Sequence, residues 1–289
     1  MLNILVTGSS GYVGSTFINT YSSDYSISRF SLQSQTLKDI SFRGVDVLLH
    51  CASIVHKGQK ISSSEYDRVN VEYPADLANL AKNNGVKHFV FISSVAVYGT
   101  MKYINEHSVC RPCTKYGQSK FQAEKRLLEL NDDEFKVSIL RVPMIYGPLA
   151  PGNIQSVIKL VTYLPIIPLG NINNRRSFIS IQNLIYSIEK VIEHRKGGVF
   201  LLADDEPIST TNLLKILILV SKKKRLLLNG DFVRIFVRFL VPSIHEKLWG
   251  DFVINSLQSK ISLGLEFPID VSDGLAGIYD IKRKNINLS

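Results

Sequence analysis

No stretch of the sequence approaches the ~20 consecutive apolar residues that a membrane-spanning helix needs. Cysteine is scarce, with three in 289 residues, and this small odd number favours a reducing compartment over a disulfide-stapled secreted fold. The first ten residues, MLNILVTGSS, have no basic segment ahead of their apolar run, so they predict a strand rather than a signal peptide. We therefore expect a cytoplasmic protein with no membrane span.

Acidic residues are also in short supply. The chain has 34 Lys and Arg against 25 Asp and Glu, a formal net charge of +9, which favours nucleic acid, anionic lipid or a phosphorylated small molecule as partner. The densest basic run, residues 222–225, has no interleaved aromatics and no nucleic-acid motif beside it. We interpret that run as a solvated surface turn and expect no nucleic-acid partner.

Short apolar strands alternate with helical patterns through the first half of the chain. Because such alternation requires crossover connections, it predicts an α/β fold with a doubly wound parallel sheet covered on both faces. A helix is predicted to begin near Gly11, and others cover 75–85, 116–130 and 180–194. The predicted strands are 3–8, 25–30, 45–52, 86–94, 135–142 and 198–203.

The pattern becomes irregular after Pro148, where prolines and glycines cluster. We expect a sheet domain at 1–150, to which 174–204 returns, and a smaller, mostly helical substrate-binding lobe formed by 151–173 and 205–289. Within that lobe, residues 231–241 form an apolar helical pattern with Arg234 and Arg238 four apart. This pattern is compatible with a membrane-surface helix. We favour the alternative, a helix packed on the lobe with both arginines at its rim.

Three glycines follow the first predicted strand, in TGSSGYVGSTFI. Gly8, Gly11 and Gly14 allow a tight turn and the close approach of a ligand to the backbone. A helix that begins near Gly11 directs its free N–H groups at an anion. Because this pattern follows a strand and opens a helix in a β-α-β series, it predicts a dinucleotide site of the Rossmann type.

An acidic residue that would grip the ribose 2′-hydroxyl is missing about 20 positions further on. The sequence has no Asp or Glu between Asp24 and Asp39. Arg29 and the serines near it are suited to a 2′-phosphate instead. We therefore expect NADP(H) to be preferred, with NAD(H) possible.

Tyr116 and Lys120 lie four residues apart in YGQSK, at the start of a predicted helix. This spacing places two side chains about 6 Å apart on one helix face. Tyr-x-x-x-Lys also occurs by chance in many proteins. The pair alone therefore does not distinguish a proton-transfer site from two surface neighbours.

Taken together with further motifs, the chain resembles the extended short-chain dehydrogenase/reductase family, in its nucleotide-sugar branch. The resemblance runs over nearly the whole chain. Because the matching motifs occur in the family's order and at its spacing, we interpret Tyr116 and Lys120 as a proton-transfer pair. The resemblance is carried by TGSSGYVG (7–14), HCAS (50–53), NV (70–71), ISSVAVYG (92–99), YGQSK (116–120), LRVPMIYGP (140–148), NNRRSFISIQNL (173–184) and GGVFLLADDEPIS (197–209).

The resemblance implies a role for each matched position. Ser94, Tyr116 and Lys120 would be catalytic: Ser94 binds the sugar oxygen, Tyr116 exchanges a proton with it, and Lys120 stabilises the phenolate. Asn153 and Arg176 would contact the substrate's diphosphate, with Arg175 as the competitor for the second role. The implied cofactor contacts are Gly8, Gly11, Tyr12, Val13, Gly14, Arg29, Ala52, Tyr116 and Lys120.

The same resemblance narrows the reaction. A dehydratase of this branch has an Asp-Glu pair where this chain has Val95 and Ala96, and an epimerase-reductase has a cysteine at 95. We therefore favour reduction of a UDP- or dTDP-linked 4-keto-6-deoxy sugar at C4, for surface polysaccharide (O-antigen or capsule) precursors. A UDP-sugar 4-epimerase is the alternative, and a non-catalytic cofactor-sensing protein is a third. The family also implies a homodimer through two long helices beside the sheet.

Departures from the family pattern weaken any specific choice of substrate. Met144 replaces a common asparagine, and Ser177 and Ser180 replace an acid and a histidine. Cys110 and Cys113 have the spacing of a redox motif. Because nothing around them resembles thioredoxin, we interpret them as loop cysteines that line the sugar pocket.

Overall fold

A six-stranded parallel sheet forms the centre of the computed structural model, which describes residues 1–31, 36–55 and 62–286. All neighbouring strands of this sheet run in the same direction, which confirms the predicted doubly wound fold. The strand order is β10-β6-β4-β3-β1-β2. These strands are β1 (Asn3–Thr7), β2 (Ser26–Phe30), β3 (Val47–His50), β4 (His88–Ser94), β6 (Lys136–Val142) and β10 (Gly198–Leu201).

Helices cover both faces of the sheet and bury its apolar strands. On one face α1 and α6 pack over Val6, Val90 and their neighbours, and on the other α3 and α4 pack over Leu48 and Phe89. Strands buried on both faces need continuous apolar runs, which is what the sequence supplies. The first-half helices are α1 (Tyr12–Tyr21), α2 (Ser63–Asp67), α3 (Tyr73–Asn83) and α4 (Lys115–Leu128), and α6 (Ile181–His194) joins them.

A separate hydrophobic cluster lies in the region predicted as the smaller lobe. It gathers α5 (Asn153–Tyr163), α7 (Thr210–Ser221) and α11 (Val271–Ile286) around Ile154, Leu214 and Leu275. Parallel two-stranded ladders link parts of the chain: β8 (Ile166–Gly170) with β11 (Leu226–Asn229), β7 (Ile145–Tyr146) with β9 (Ile179–Ser180), and β5 (Tyr103–Ile104) with β12 (Val253–Ile254). The division at 150, 174–204 and 205 stays a prediction.

Part of the chain after residue 205 lies against the sheet domain. Helix α10 (Leu257–Leu263) packs on α6, and Leu263 and Leu265 join the same core as Ile188. Two short helices, α8 (Asp231–Leu240) and α9 (Pro242–Trp249), follow β11 and precede α10 in the sequence. Among the described residues, no helix is long and apolar enough to cross a membrane.

The basic run 222–225 is more than a solvated turn. Lys223 Nζ donates to the Thr162 carbonyl at 3.0 Å, and Arg225 Nε donates to the Val161 carbonyl at 2.8 Å. Both carbonyls belong to the last turn of α5, where backbone acceptors have no partner within the helix. Two of the four cations therefore close a helix end, while Lys222 and Lys224 are exposed.

The segment 231–241 differs from its predicted packing. Helix α8 forms as expected, but none of its residues is buried, and only Val233 and Val237 are half-covered. The lobe's core is already filled by α5, α7 and α11. Helix α8 therefore lies on the surface with its apolar side uncovered.

A buried ion pair ties α4 to the centre of the sheet. Arg141 on β6 donates from Nη2 to Glu124 Oε2 at 2.6 Å and from Nη1 to the Tyr98 hydroxyl at 2.7 Å. Ser93 also donates to Glu124, whose side chain is almost fully buried. A buried charge is stable only while its partner is present.

We expect Glu124→Ala to destabilise the fold by ~3–5 kcal/mol, because it leaves the Arg141 guanidinium buried without a counter-charge. Urea unfolding followed by circular dichroism measures this change. Glu129→Ala, at an exposed position one turn on in the chain, is the control and should stay within about 0.5 kcal/mol. Equal losses in the two variants would contradict the assigned role of the pair.

Candidate active site

The glycine turn after β1 is built for close backbone contact. Gly8 has φ +68°, and a Cβ on it would lie 2.6 Å from the Ala52 backbone nitrogen. Only glycine tolerates both the positive φ and this approach. Ala52, which follows β3, therefore rests directly on the turn.

Helix α1 begins at the turn with free donors. Gly11 is its N-cap and supplies no side-chain cap, the first turn has no acidic residue, and Gly14 is buried inside it. Tyr12 and Val13 are half-buried, and the Tyr12 hydroxyl has no hydrogen-bond partner within the part of the chain that the structure describes. Uncapped N–H groups at a positive helix end suit a diphosphate, so these residues fit a dinucleotide cofactor.

Arg29 lies on the edge strand β2, exposed and paired in register with Val6. It is one residue from the carboxyl end of β2. Because β1 and β2 are parallel, the glycine turn lies at the same edge of the sheet. Residues 32–35 of the predicted 2′-phosphate region lie outside the described residues. The preference for NADP(H) therefore stays a prediction.

Tyr116 and Ser94 are brought together by a close helix contact. Ser94 ends β4, and Thr114 caps α4 by accepting from Gly117 N at 3.0 Å. A Cβ on Gly117 would lie 2.5 Å from the Ala96 carbonyl oxygen, so this glycine lets α4 approach the turn after β4. The Tyr116 phenol consequently lies beside the side chains of Ser94 and Ser53, both of which lower its pKa.

The Tyr116 phenol holds its proton firmly in this state. Burial raises its pKa to about 12, and the neighbouring Ser94 and Ser53 lower it only in part. Near neutral pH the side chain is therefore a proton donor.

Lys120 is enclosed one turn further along α4, with 2% of its surface exposed. Its Nζ donates to the Ile92 carbonyl at 2.9 Å and lies 4.4 Å from the centroid of the Phe91 ring. Burial lowers its pKa to about 8, against the raising effects of Glu124 and Cys51. The role that the resemblance implies for Lys120, stabilisation of a Tyr116 phenolate, stays a prediction.

Two contributors, Ser53 and Asn70, were not predicted as site residues. Asn70 is buried in a π-helical turn (Arg68–Glu72) and donates to Ser119 Oγ at 3.1 Å. It also accepts from Ile54 N at 2.9 Å, which fixes the loop that carries Ser53. Both residues lie in quoted family motifs, HCAS and NV. A polar residue directly after a buried strand, and another inside an apolar helical stretch, were the signals available.

The predicted substrate contacts, Asn153 and Arg176, lie in the smaller lobe and its border. Asn153 is the exposed first residue of α5, after Gly152 at φ +83°. Arg176 Nη1 donates to the Gly250 carbonyl at 2.9 Å, its guanidinium lies 5.8 Å from the Phe252 ring centroid, and burial lowers its pKa. Arg175 is exposed. No contact brings Arg176 and Asn153 together among the described residues.

A polar cleft of about 350 Å³ lies beside this segment. Its walls come from the chain just before Arg175, from α8 and from the end of α9. Ser94, Tyr116 and Lys120 do not line it. The lining residues are Asn171, Ile172, Asn173, Asn174, Asp231, Arg234, Trp249 and Asp251.

The cysteines give no support to a redox role. Cys110 and Cys113 both carry free thiols, and Cys110 packs against the apolar cluster around Val97 and Tyr98. Burial raises the pKa of the Cys110 thiol, which disfavours the reactive thiolate. Within 1–31, 36–55 and 62–286 there is also no group of three His, Cys, Asp or Glu that could hold a metal ion.

A family model described as the NAD dependent epimerase/dehydratase family matches residues 4–203, well over half of the sequence. The chain belongs to the NAD-dependent epimerase/dehydratase family. The match includes the glycine turn, Ser94, Tyr116 and Lys120, and it confirms the resemblance inferred from the motifs.

Relatives in this family are similar along most of the chain. A Vibrio cholerae UDP-glucose 4-epimerase is 29% identical and covers 94% of this chain and 93% of its own length. An Escherichia coli O157:H7 N-acetyl-alpha-D-glucosaminyl-diphospho-ditrans,octacis-undecaprenol 4-epimerase is 28% identical over 68% of this chain and 65% of its own length.

Solved structures share the fold over its full extent. A UDP-glucuronic acid 4-epimerase from Bacillus cereus in complex with NAD superposes with a TM-score of 0.78 at 20% identity, covering 98% of this chain and 99% of its own. RMD from Pseudomonas aeruginosa, complexed with NADPH, also gives 0.78, at 18% identity over 97% and 98%. At these identities the likeness shows the fold alone, and of these two structures one contains NAD and the other NADPH.

The buried Lys120 makes stability depend on pH. Folding lowers its pKa from 10.5 to about 8, so between these values the unfolded chain binds the extra proton and stability rises with pH. Lys120→Met removes this dependence. We expect the variant's stability relative to wild type to be greater at pH 7 than at pH 10, by about 2 kcal/mol.

Urea unfolding at the two pH values measures this difference between wild type and variant. Lys125→Met, which removes an exposed lysine of the same helix, is the control. If Lys120→Met changes stability equally at pH 7 and pH 10, the lysine is not a desolvated cation in the folded protein.

Proposed function

We propose that the chain interconverts the C4 epimers of a sugar carried on a diphosphate, using a nicotinamide dinucleotide. One series of neighbours carries this proposal: Gly8 rests against Ala52, and both the adjacent Ser53 and Ser94 lie close enough to the Tyr116 phenol to lower its pKa. The turn suited to the cofactor's diphosphate is thereby linked to a phenol and a hydroxyl at the carboxyl ends of the same strands. Ligands bind at that edge in open parallel sheets.

The side chains divide the proton chemistry between them. Ser94 orients the sugar oxygen at C4, and Tyr116 exchanges a proton with that oxygen at its phenol. Lys120, buried one turn away, supplies positive charge that would favour the phenolate, the form of Tyr116 that takes the proton of the C4 hydroxyl and later returns it to the same oxygen. The nicotinamide, when bound, accepts and returns the hydride.

Epimerisation is favoured over reduction by the names of the relatives. The Vibrio cholerae protein that aligns along 94% of this chain is a UDP-glucose 4-epimerase, and the Escherichia coli relative is also a 4-epimerase. The sequence alone favoured a 4-keto-6-deoxy sugar reductase. That second candidate keeps one supporting observation, the missing acid after β2 with Arg29 in its place, together with a fold neighbour complexed with NADPH.

The diphosphate that carries the sugar has two candidate attachments, a nucleoside and a polyprenol. UDP is the carrier in the name of the Vibrio cholerae relative, and undecaprenol is the carrier in the name of the Escherichia coli relative. An assay panel should therefore include UDP-glucose, UDP-N-acetylglucosamine and N-acetylglucosaminyl-diphospho-polyprenol. Conversion at C4 without added cofactor supports epimerisation, whereas NADPH oxidation in proportion to a 4-keto-6-deoxy substrate supports reduction.

Tyr116→Phe is expected to lower turnover by about 10²–10⁴-fold, because the proton donor and acceptor is lost. Cofactor affinity, measured by fluorescence titration with NADH, should change little. Tyr163→Phe, at an exposed tyrosine that ends α5, is the matched control and should keep full activity. Normal turnover in Tyr116→Phe would remove the catalytic proposal.

Arg29→Gln tests the predicted cofactor preference. If Arg29 binds a 2′-phosphate, we expect the Kd for NADPH to rise about tenfold, the loss of one charge-assisted hydrogen bond. The Kd for NADH should change less than twofold. Arg43→Gln, at another exposed arginine, should affect neither, and an unchanged NADPH affinity in Arg29→Gln would contradict the preference.

A further inference from the structure

Helix α8 presents an uncovered apolar stripe. Five large apolar side chains at i, i+3, i+4, i+7 and i+8 point outward, the spacing of one helix face. Such a face normally packs on a core, and here all five side chains are exposed. Their exposed fractions are Phe232 81%, Ile235 62%, Phe236 68%, Phe239 80% and Leu240 78%.

Apolar residues are also exposed in the segments that flank α8 in the sequence. Val241 and Ile244, just after α8, are exposed, and so are Leu226 and Leu228 on one face of the strand that leads into it. Ile166, the register partner of Leu226, is exposed as well. Large apolar side chains exposed together on one helix face mark an interaction site on a folded protein.

The opposite side of α8 is basic. Arg234 and Arg238 lie one turn apart on it and are exposed, against a single acidic residue of the helix, Asp231. Exposed Lys222 and Lys224 precede the same segment. The chain as a whole carries a net charge of +9 and a pI of about 9.3.

We propose that α8 docks the protein on the surface of an anionic phospholipid bilayer, lying in the interface with its phenylalanines among the acyl chains. An apolar stripe rich in Phe and Leu, with arginines on the polar side, is the composition of such helices. At ten residues, α8 is ~15 Å long and cannot span the bilayer. The basic charge selects lipid over another copy of this equally basic chain.

The docking helix belongs to the predicted substrate-binding lobe and borders its polar cleft. Arg234 lines the same polar cleft as Asn173 and Asn174, which directly precede the Arg175–Arg176 pair. A bilayer held against α8 would therefore adjoin the segment that carries Arg176. This arrangement would suit a lipid-borne sugar, although lipid binding itself does not depend on the proposed reaction.

Co-sedimentation with vesicles tests the docking surface. We expect the full-length protein to bind vesicles of phosphatidylglycerol and phosphatidylcholine at least tenfold more tightly than phosphatidylcholine alone. The double variant F236S/F239S should lose at least tenfold of this affinity, and R234Q/R238Q should lose about fivefold with a weaker salt dependence. The variant L257S/I261S removes two exposed apolar residues of α10 and should bind like wild type.

Trp249 provides a second readout, because it is the one tryptophan in the sequence and lines the cleft beside Arg234. Its emission should shift on addition of anionic vesicles to wild type but not to F236S/F239S. Circular dichroism establishes that the variants are folded.

Three outcomes overturn the proposal. Failure of the wild-type protein to bind anionic vesicles overturns the proposal directly. An equal loss of vesicle affinity in L257S/I261S also overturns it, because the effect would then not be specific to α8. A wild-type dimer that F236S/F239S converts to monomer, without vesicle binding by either, assigns the stripe to a second copy instead. None of these assays uses a sugar substrate or measures turnover, so they are independent of the proposed reaction.

Discussion

The contact between Gly8 and Ala52 is the constraint on which the site depends. The backbone at Ala52 occupies the space that any side chain at position 8 would need, so the ends of β1 and β3 are held edge to edge. Ser53 is thereby placed where it meets the Tyr116 phenol, and Asn70 fixes the same loop from the other side. The backbone contact between Gly8 and Ala52 thus positions both the turn suited to phosphates and the loop beside the Tyr116 phenol.

The electrostatics of the site follow from enclosure. Both Tyr116 and Lys120 are pushed toward their neutral forms, the phenol upward in pKa and the amine downward, because each charge would lose its hydration. Lys120 keeps its proton near pH 7 only by a narrow margin, supported by a backbone carbonyl and by Glu124. Small changes in local charge on ligand binding therefore alter the balance between the two groups strongly.

Sequence reasoning succeeded where local pattern and chemistry coincide. Apolar runs such as 86–94 predicted buried strands, and the glycine spacing predicted the turn, because both are fixed by near neighbours in the chain. It did not identify Ser53 or Asn70, whose roles arise from contacts 63 and 49 positions away with Tyr116 and Ser119. Helix α8 was predicted as a helix, but its exposure was not predicted. The spacing of its apolar residues is the same whether that face packs on the protein core or on a partner outside the protein. Likewise, the basic run at 222–225 gave no sign that Lys223 and Arg225 close the end of α5.

The packing of α10 on α6 has a consequence for how the molecule holds together. Leu263 and Leu265 fill the same core as Ile188 and Val191, although 72 positions separate Val191 from Leu263 along the chain. A fragment cut after residue 204 would leave that face of α6 open to water. The two halves are therefore not detachable modules, and we expect the C-terminal region to take part in the cooperative unfolding of the sheet domain.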